Sequence, residues 1–507
     1  MSLLTSWLRR RTTNRSPERQ PSHRRPDRFR PQLEALDDRR VPAQVSLTVT
    51  SLADAGPGTL RAAILTSDGG KPSDKFTVGF SVAGTIDLQT PLPALSNSIA
   101  IQGPGASSLT VERAAGASFT SAIVTVDGGQ SDSLSGLMIA NGNAGGITNH
   151  GTMTVSGCTL SANSTASFGG GIFNGFDGLL TISGSTFSDN TAPNGGGAIY
   201  NGGTATVSNS TLSGNSGFFG GGMFNATTLT VTGCTISDNT ALNFFGHPSG
   251  DGGGIWNEAA LTISTSTLSG NSAAHDGGGI WTEGTLTVNT SSLSGNSASD
   301  QGGAITNFAT LTATACTISG NTAAGAGGIL NVGSATIQQG STLSHNVAGD
   351  AGAIYNAGAL TVSNSTLDDN TATGFNFGGF HAPGAGGGID NRATLTVRDS
   401  LFSNNAADIG GAIYNLTTLD VHGSTFTSNT AADSGGAIYN AGSVTLQEST
   451  LSGNIAGSAG GGIFNGTTGT LAIKDSTVLG NAAPLGTDLF TLGAVALDDS
   501  TVGVSGP

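Results

Sequence analysis

Aromatic residues recur at one position of a repeated motif, and they are the residues of this sequence best suited to contact another molecule. The motif reads Gly-Gly, any residue, Ile, an aromatic residue and Asn. The aromatic position is occupied in turn by Phe173, Tyr200, Phe224, Trp256, Trp281, Thr306, Leu330, Tyr355, Asp390, Tyr414, Tyr439 and Phe464. All four tyrosines of the chain and two of its three tryptophans lie in this aromatic column, which random placement would not produce.

The neighbouring residues predict which way the aromatic column points. Ile, or Met223 in one copy, precedes each member and is expected to face the core. Because side chains alternate along a strand, the aromatic column is expected to face outward as an exposed stripe. The presence of Thr306 and Asp390 in the column favours the same direction, since a dry core would not accept them.

Two functions for this stripe stay open. Stacked rings could simply stiffen the molecule, with each pair adding about 0.5–1.5 kcal/mol. Alternatively, a large exposed apolar strip marks an interaction site, and flat rings suit the apolar faces of sugars. The candidate binding residues are Tyr200, Phe224, Trp256, Trp281, Tyr355, Tyr414 and Tyr439, together with His247 and His381.

The two histidines belong to matched insertions. Residues 241–251 read ALNFFGHPSGD and residues 373–385 read TGFNFGGFHAPGA, both just before a glycine pair. Function in repeat proteins often resides in such insertions, although tolerated loop growth is the simpler interpretation. The insertions are five repeats apart, about 24 Å, so their histidines are too distant to share a metal ion.

An enzymatic alternative rests on the charged residues near Arg392 and Arg398. After residue 131 the only basic residues are these two and Lys474. The nearby acids are Asp368, Asp369, Asp390 and Asp399. A polysaccharide lyase or glycoside hydrolase would need such carboxylates and a proton acceptor, but no motif fixes a catalytic pair, and we predict no catalytic residue.

Aspartates also recur before the glycine pairs, at Asp251, Asp276, Asp300, Asp350, Asp408 and Asp433. The first three fall on consecutive repeats. Stacked carboxylates could attract Ca²⁺, which takes six to eight oxygen ligands. Solvated turn acids are the favoured interpretation, so we predict no metal site and no cofactor.

These residues must be positioned by a repeat of about 25 residues. Its main marker is an asparagine at the end of Ser/Cys-Thr-apolar-Ser-x-Asn: Asn163, Asn190, Asn215, Asn239, Asn271, Asn296, Asn321, Asn346, Asn370, Asn405, Asn429, Asn454 and Asn481. A second asparagine column follows the aromatic column. Each repeat holds three short strands with apolar columns that only stacking can bury. The sequence therefore predicts an all-β, right-handed, three-sided parallel β-helix of about fourteen rungs with two asparagine ladders.

Composition divides the chain into four parts. Residues 1–43 hold eleven of the 18 basic and five of the 33 acidic residues, so this tail carries about +6 and the remainder about −21. We expect 1–43 to be a disordered basic tail or export segment, 44–130 a cap with irregular first turns, 131–481 the regular repeats and 482–507 an irregular coil. The acidic body disfavours nucleic-acid binding, and no apolar run is long enough for a transmembrane helix.

Several motifs resemble known protein families. GGGIFN (169–174), GGAIYN (196–201) and STFSDN (185–190) resemble the repeats of the chlamydial polymorphic outer-membrane proteins, over about residues 131–481. Residues 47–112 resemble the opening segment of large secreted bacterial β-helix proteins, and FRPQLEALDDRRVPA (29–43) resembles an N-terminal motif of exported planctomycete proteins. The resemblance implies an extracellular or outer-membrane-associated protein, adhesin-like or part of the envelope, with a polysaccharide or cell-envelope partner.

Overall fold

Each repeat forms one turn of a solenoid because short apolar strands are separated by Gly- and Asn-containing turns. The computed structural model describes residues 43–243, 249–377 and 380–503, apart from the side chains of residues 376, 377 and 380. A typical rung contains strands Ile255–Asn257, Ala260–Ser264, Thr267–Ser269 and Ser272–Ala273. Each strand pairs in parallel with its copies in the adjacent rungs, so the predicted parallel β-helix is confirmed.

Three long sheets of 18, 17 and 15 strands run along the molecule. Sheet 1 contains Gln44–Val49, Lys75–Phe80, Ile99–Gln102, Ser131–Ser135, Thr152–Ser156, Leu179–Ser183, Thr204–Ser208, Thr228–Thr232, Ala260–Ser264, Thr285–Asn289, Thr310–Thr314, Ser334–Gln338, Ala359–Ser363, Thr394–Arg398, Thr418–His422, Ser443–Gln447, Thr470–Lys474 and Ala494–Asp498. Sheet 2 contains Gly84–Leu88, Leu109–Arg113, Met138–Ala140, Thr159–Ser161, Thr186–Ser188, Thr211–Ser213, Thr235–Ser237, Thr267–Ser269, Ser292–Ser294, Thr317–Ser319, Thr342–Ser344, Thr366–Asp368, Leu401–Ser403, Thr425–Thr427, Thr450–Ser452, Thr477–Val478 and Thr501–Val502.

Sheet 3 carries the aromatic column. It contains Val124–Val126, Ile147–Asn149, Ile172–Asn174, Ile199–Asn201, Met223–Asn225, Ile255–Asn257, Ile280–Thr282, Ile305–Asn307, Ile329–Asn331, Ile354–Asn356, Ile389–Asn391, Ile413–Asn415, Ile438–Asn440, Ile463–Asn465 and Leu489–Thr491. Two short five-stranded sheets lie at the corner before it: Thr191–Ala192, Ser216–Gly217, Thr240–Ala241, Ser272–Ala273 and Ser297–Ala298, then Val347–Ala348, Thr371–Ala372, Ala406–Ala407, Thr430–Ala431 and Ile455–Ala456.

The solenoid has about 17 turns, against the fourteen predicted. The additional turns come from both ends. Residues 44–130 already contribute strands to all three sheets, and a regular final rung lies where an irregular coil was expected for 482–507. Helix Leu60–Asp68 packs Leu60 and Ile64 against the first turn and is capped by Thr59, whose Oγ1 accepts the Ala62 amide. Among the described residues no helix is long and apolar enough to span a membrane.

Two asparagine ladders hold the corners together, as predicted. In the first ladder each Nδ2 donates to the Oδ1 of the next rung, for example Asn190 to Asn215 at 2.9 Å, and the backbone amide of Asn190 donates to the same oxygen at 3.0 Å. The ladder ends at Asp488, whose Oδ1 accepts both donors of Asn481 at 2.8 Å. In the second ladder Thr282 replaces asparagine and accepts from Asn257 at 2.9 Å. The ladder side chains provide hydrogen-bond partners for buried backbone amides and for one another, and buried polar groups in a protein interior require such partners.

Candidate functional site

The aromatic column lies on sheet 3, outside the main core. Its rings stack from rung to rung, with centroids 5.1 Å apart for Phe173 and Tyr200 and 3.6 Å apart for Trp256 and Trp281. Tyr200, Phe224, Trp256 and Trp281 form a hydrophobic cluster separate from the core that contains the preceding isoleucines. Strand alternation therefore predicted the direction of these side chains.

The prediction of an exposed stripe is wrong for this cluster. Tyr200, Phe224, Trp256 and Trp281 are only 6–9% exposed. Neighbouring rings of the cluster cover one another from Tyr200 to Trp281, and turn residues such as Phe219, whose ring centroid is 4.2 Å from that of Trp256, cover the flank. In contrast, Tyr355, Tyr414 and Tyr439 are half-buried. The tryptophans are thus packing residues, with little surface left for a partner.

Asp390 interrupts the column between Tyr355 and Tyr414 and is fully buried. Thr306 is also fully buried, so these two polar residues were a wrong argument for exposure. Oδ2 of Asp390 accepts from Nε and Nη2 of Arg392 at 3.1 and 3.0 Å, while Oδ1 has no hydrogen-bond partner among the described residues. Burial raises the pKa of Asp390 to about 6, and the Arg392 guanidinium opposes this only in part.

The charged residues of the enzymatic alternative do not converge on one site. Arg392 follows the sheet 3 strand Ile389–Asn391, stacks 4.9 Å from the Tyr355 ring and lies 3.7 Å from Asp350. Arg398 ends a sheet 1 strand and pairs with Asp420 at 3.3 Å. Oδ1 of Asp368 accepts from Ser403 and Asn404. The two arginines therefore belong to separate ion pairs on different sheets.

The two insertions differ in what the structure describes. His247 and its neighbours 244–248 lie outside the described residues. The second insertion forms an antiparallel hairpin of Phe375–Phe377 and Phe380–Ala382. His381 Nε2 lies 2.8 Å from Asp408 Oδ2, and the same oxygen accepts the Gly384 amide at 2.8 Å. The hairpin is thereby fastened to the following rung.

An open apolar groove lies at the corner beside the first rings of the column. Its volume is about 380 Å³, and its lining is Phe168, Pro193, Asn194, Phe218, Phe219, Phe224 and Glu258. Of the predicted binding residues that the structure describes, only Phe224 lines it. Phe168 and Phe219 occupy the turn position before the glycines, where later rungs have Asp, Gln, Ala, Ile or Ser. The phenylalanines in SFGGG and FFGGG were the signal that sequence reasoning missed.

Three of the turn aspartates form a compact polar cluster around His275. His275 Nδ1 lies 2.9 Å from Asp251 Oδ1 and 3.6 Å from Asp276 Oδ2, and His275 Nε2 lies 3.7 Å from Asp300 Oδ2. Burial lowers the pKa of His275, but the hydrogen bond to Asp251 and the surrounding carboxylates outweigh it and raise the pKa. Burial raises the pKa of Asp276 to about 6. Asp251 and Asp276 are buried, so they are not the solvated turn acids that we expected.

Comparison with known protein families defines the structural class of this chain. A family model described as right handed beta helix region matches residues 122–298 and 169–347, and the chain is a right-handed β-helix repeat protein. The Chlamydia polymorphic membrane protein repeat model matches residues 399–416 and 423–441. The repeats in this part of the chain are therefore similar to the polymorphic membrane protein repeat.

A search of curated proteins gave no match. Among solved structures, the chain is similar to one titled "Crystal structure of Agl-KA catalytic domain", with 13% identity and a TM-score of 0.20. The similarity covers 86% of this chain and 64% of that one, so the chain spans less than two thirds of that domain. A similarity this low bears on neither fold nor function.

Proposed function

We propose that this protein is a cell-surface or extracellular β-helix protein that acts by contact, as an adhesin or envelope component, and that it binds a neutral glycan in the aromatic groove. The groove at Phe168, Phe219 and Phe224 is the observation that carries the proposal. Ligand sites are concave, largely apolar and supplied with a few polar groups. Flat rings offer a platform for the apolar face of a pyranose, while the exposed Asn194 and Glu258 lie at hand for its hydroxyl groups.

Charge narrows the class of glycan. The body after residue 43 carries about −21, and Glu258 adds a carboxylate at the groove itself. Like charges repel across a binding surface, which disfavours uronate polymers. The polymorphic membrane protein type of repeat supports a location at the cell surface.

The enzymatic alternative, a polysaccharide lyase or glycoside hydrolase at Arg392 and Arg398, receives less support. Each arginine is already held by carboxylates of its own sheet. A catalytic site needs its acid, base and substrate position within hydrogen-bond reach. We therefore prefer a binding function to a catalytic one.

The test is binding of the full chain to an array of neutral, amino and acidic glycans, followed by calorimetry with a retained oligosaccharide. Phe219→Ala should weaken binding about tenfold, because one stacking ring contributes up to about 1.5 kcal/mol. Glu258→Gln should weaken it less. Phe308→Ala is the matched control, since Phe308 is 42% exposed beside Trp281 but does not line the groove.

Circular dichroism of each variant checks that the fold is retained. Retention of no glycan by the wild type, or equal loss in Phe308→Ala, would contradict the groove. New reducing ends or unsaturated products in the same incubations, lost in Arg392→Ala, would favour the enzyme.

A further inference from the structure

We propose that Asp251, His275 and Asp276 form a binding site for one divalent transition-metal ion of the zinc class. Each residue offers one ligand atom, and these atoms all lie within 4.8 Å of one another. Ligands about 2.0–2.2 Å from a tetrahedral zinc stand about 3.3–3.6 Å apart. The Nδ1 atom of His275 is already 2.9 Å from Asp251 and 3.6 Å from Asp276, so small side-chain rotations suffice to admit the ion.

Burial and charge both favour a cation at this position. The side chains of Asp251 and Asp276 are 9 and 10% exposed and occupy adjacent rungs. Two carboxylates brought together away from water repel each other, and a single imidazolium offsets only one of them. Asp300, the third carboxylate beside the ring, increases the negative charge further. A divalent ion bound to Nδ1 would neutralise the buried pair.

The protein already orients the ligand atoms. Asp251 Oδ1 accepts the backbone amide of Asp276 at 2.8 Å, and Asp276 Oδ1 accepts that of Gln301 at 2.9 Å. Asp300 Oδ2 lies 3.7 Å from the opposite ring nitrogen, Nε2, of His275, so a small side-chain rotation would let it accept the Nε2–H. A carboxylate that receives the second N–H of a metal-binding histidine fixes its tautomer and ring orientation, and metal sites commonly contain this arrangement.

The donor set selects the kind of metal. Imidazole suits zinc and neighbouring transition metals, whereas Ca²⁺ prefers six to eight oxygens. The corresponding corner of the second insertion has the His381–Asp408 pair, but among the described residues only the Asp251 cluster brings three such ligands together. The three cysteines, Cys158, Cys234 and Cys316, are buried and therefore do not compete for added metal.

A metal ion here would fasten the first insertion to the rung that follows. Asp251 is the last residue of that insertion, and the carbonyl oxygen of Gly250 accepts the His275 amide at 3.0 Å. Asp251 also pairs across the corner with Phe219, which lines the aromatic groove. The site does not depend on the glycan proposal, since it requires only the three ligands.

The experiment is calorimetric titration of the untagged, EDTA-treated full chain with ZnCl₂ and, separately, CaCl₂. We expect one saturable Zn²⁺ per chain. Asp251→Asn, Asp276→Asn and His275→Ala should each weaken Zn²⁺ binding by at least about tenfold, since even outer-shell changes cost about 10–100-fold. Asparagine keeps the Oδ1 acceptor for the neighbouring amide, so the first two variants should fold.

His345→Ala is the matched control. His345 makes an exposed pair with Asp369, with Nε2 3.0 Å from Oδ2, and should leave Zn²⁺ binding unchanged. As a second readout, Zn²⁺ should raise the Tm of the wild type and of His345→Ala but not of His275→Ala. The proposal is overturned if no saturable Zn²⁺ binding occurs, if His275→Ala binds as tightly as the wild type, or if Ca²⁺ binds and Zn²⁺ does not.

Discussion

The aromatic column has two stretches that share one backbone geometry and differ in packing. From Phe173 to Trp281 the rings are continuous and mostly buried, and turn phenylalanines cover their flank. From Tyr355 to Phe464 the rings are half-buried, and a buried carboxylate separates Tyr355 from the rest. The difference shows that stacking alone leaves a ring of this column half-buried, as at Tyr439, and that a ring becomes buried where a turn side chain such as Phe168 or Phe219 also covers its flank.

The largest expected effect is the loss of a tryptophan from the continuous stretch. Trp256→Ala removes a ring packed between Trp281 and Phe219 and should lower the free energy of unfolding by about 3–5 kcal/mol. Tyr439→Ala, in the interrupted stretch, should cost about 1–2 kcal/mol, because its ring is only half-buried. Urea unfolding followed by far-ultraviolet circular dichroism measures both. Equal costs would show that ring continuity contributes nothing.

Replacing the buried carboxylate should strengthen the interrupted stretch in a pH-dependent way. The pKa of Asp390 is raised from 3.8 to about 6, so the folded state binds this proton more tightly than the unfolded chain. Ionisation of Asp390 therefore lowers the free energy of unfolding. This loss is absent below pH 3.8, grows as the pH rises towards about 6, and is then constant. Each unit of pKa shift corresponds to about 1.36 kcal/mol. Because asparagine does not ionise, Asp390→Asn should raise the free energy of unfolding by about 2–3 kcal/mol at pH 8.

The same substitution should have little effect at pH 4, where Asp390 is protonated in the folded protein. Unfolding curves of wild type and variant at the two pH values give the comparison. A gain of equal size at both would assign the effect to packing and contradict the raised pKa.

The smallest expected effect concerns the two arginines. Arg392→Ala removes the partner of a buried carboxylate and a cation over the Tyr355 ring, and should cost about 1–2 kcal/mol at pH 8. Arg398→Ala breaks an exposed pair with Asp420 and should cost less than about 0.5 kcal/mol. Thermal unfolding of the two variants side by side is sufficient. An equal loss of stability in the two variants would show that the ion pair with buried Asp390 contributes no more than the exposed pair with Asp420.

Sequence reasoning reached the features that repeat and missed those that occur once. The asparagine ladders and the outward direction of Trp256 follow from period and strand alternation, which every rung obeys. The burial of Trp256 depends on Phe219, a turn residue of the preceding rung, and the groove depends on phenylalanines present in only two turns. Likewise, the separation of Arg392 from Arg398 depends on which sheet each strand joins, and proximity along the chain does not reveal this.

The asparagine ladders also give the solenoid an electric dipole along its axis. In the first ladder the amide-to-amide bonds all run towards the C-terminal end, while the other N–H of each Nδ2 donates back to a carbonyl oxygen of the preceding rung, as from Asn190 to Leu160. The amide-to-amide bonds of the second ladder run the same way, finishing with Asn465 donating to Thr491. Aligned amide dipoles sum along an axis, as peptide dipoles do in a helix, with the donor end positive. Asp488 places a carboxylate at that positive pole. The two ends of this solenoid are therefore electrostatically unlike, and a charged surface or ligand would distinguish one end from the other.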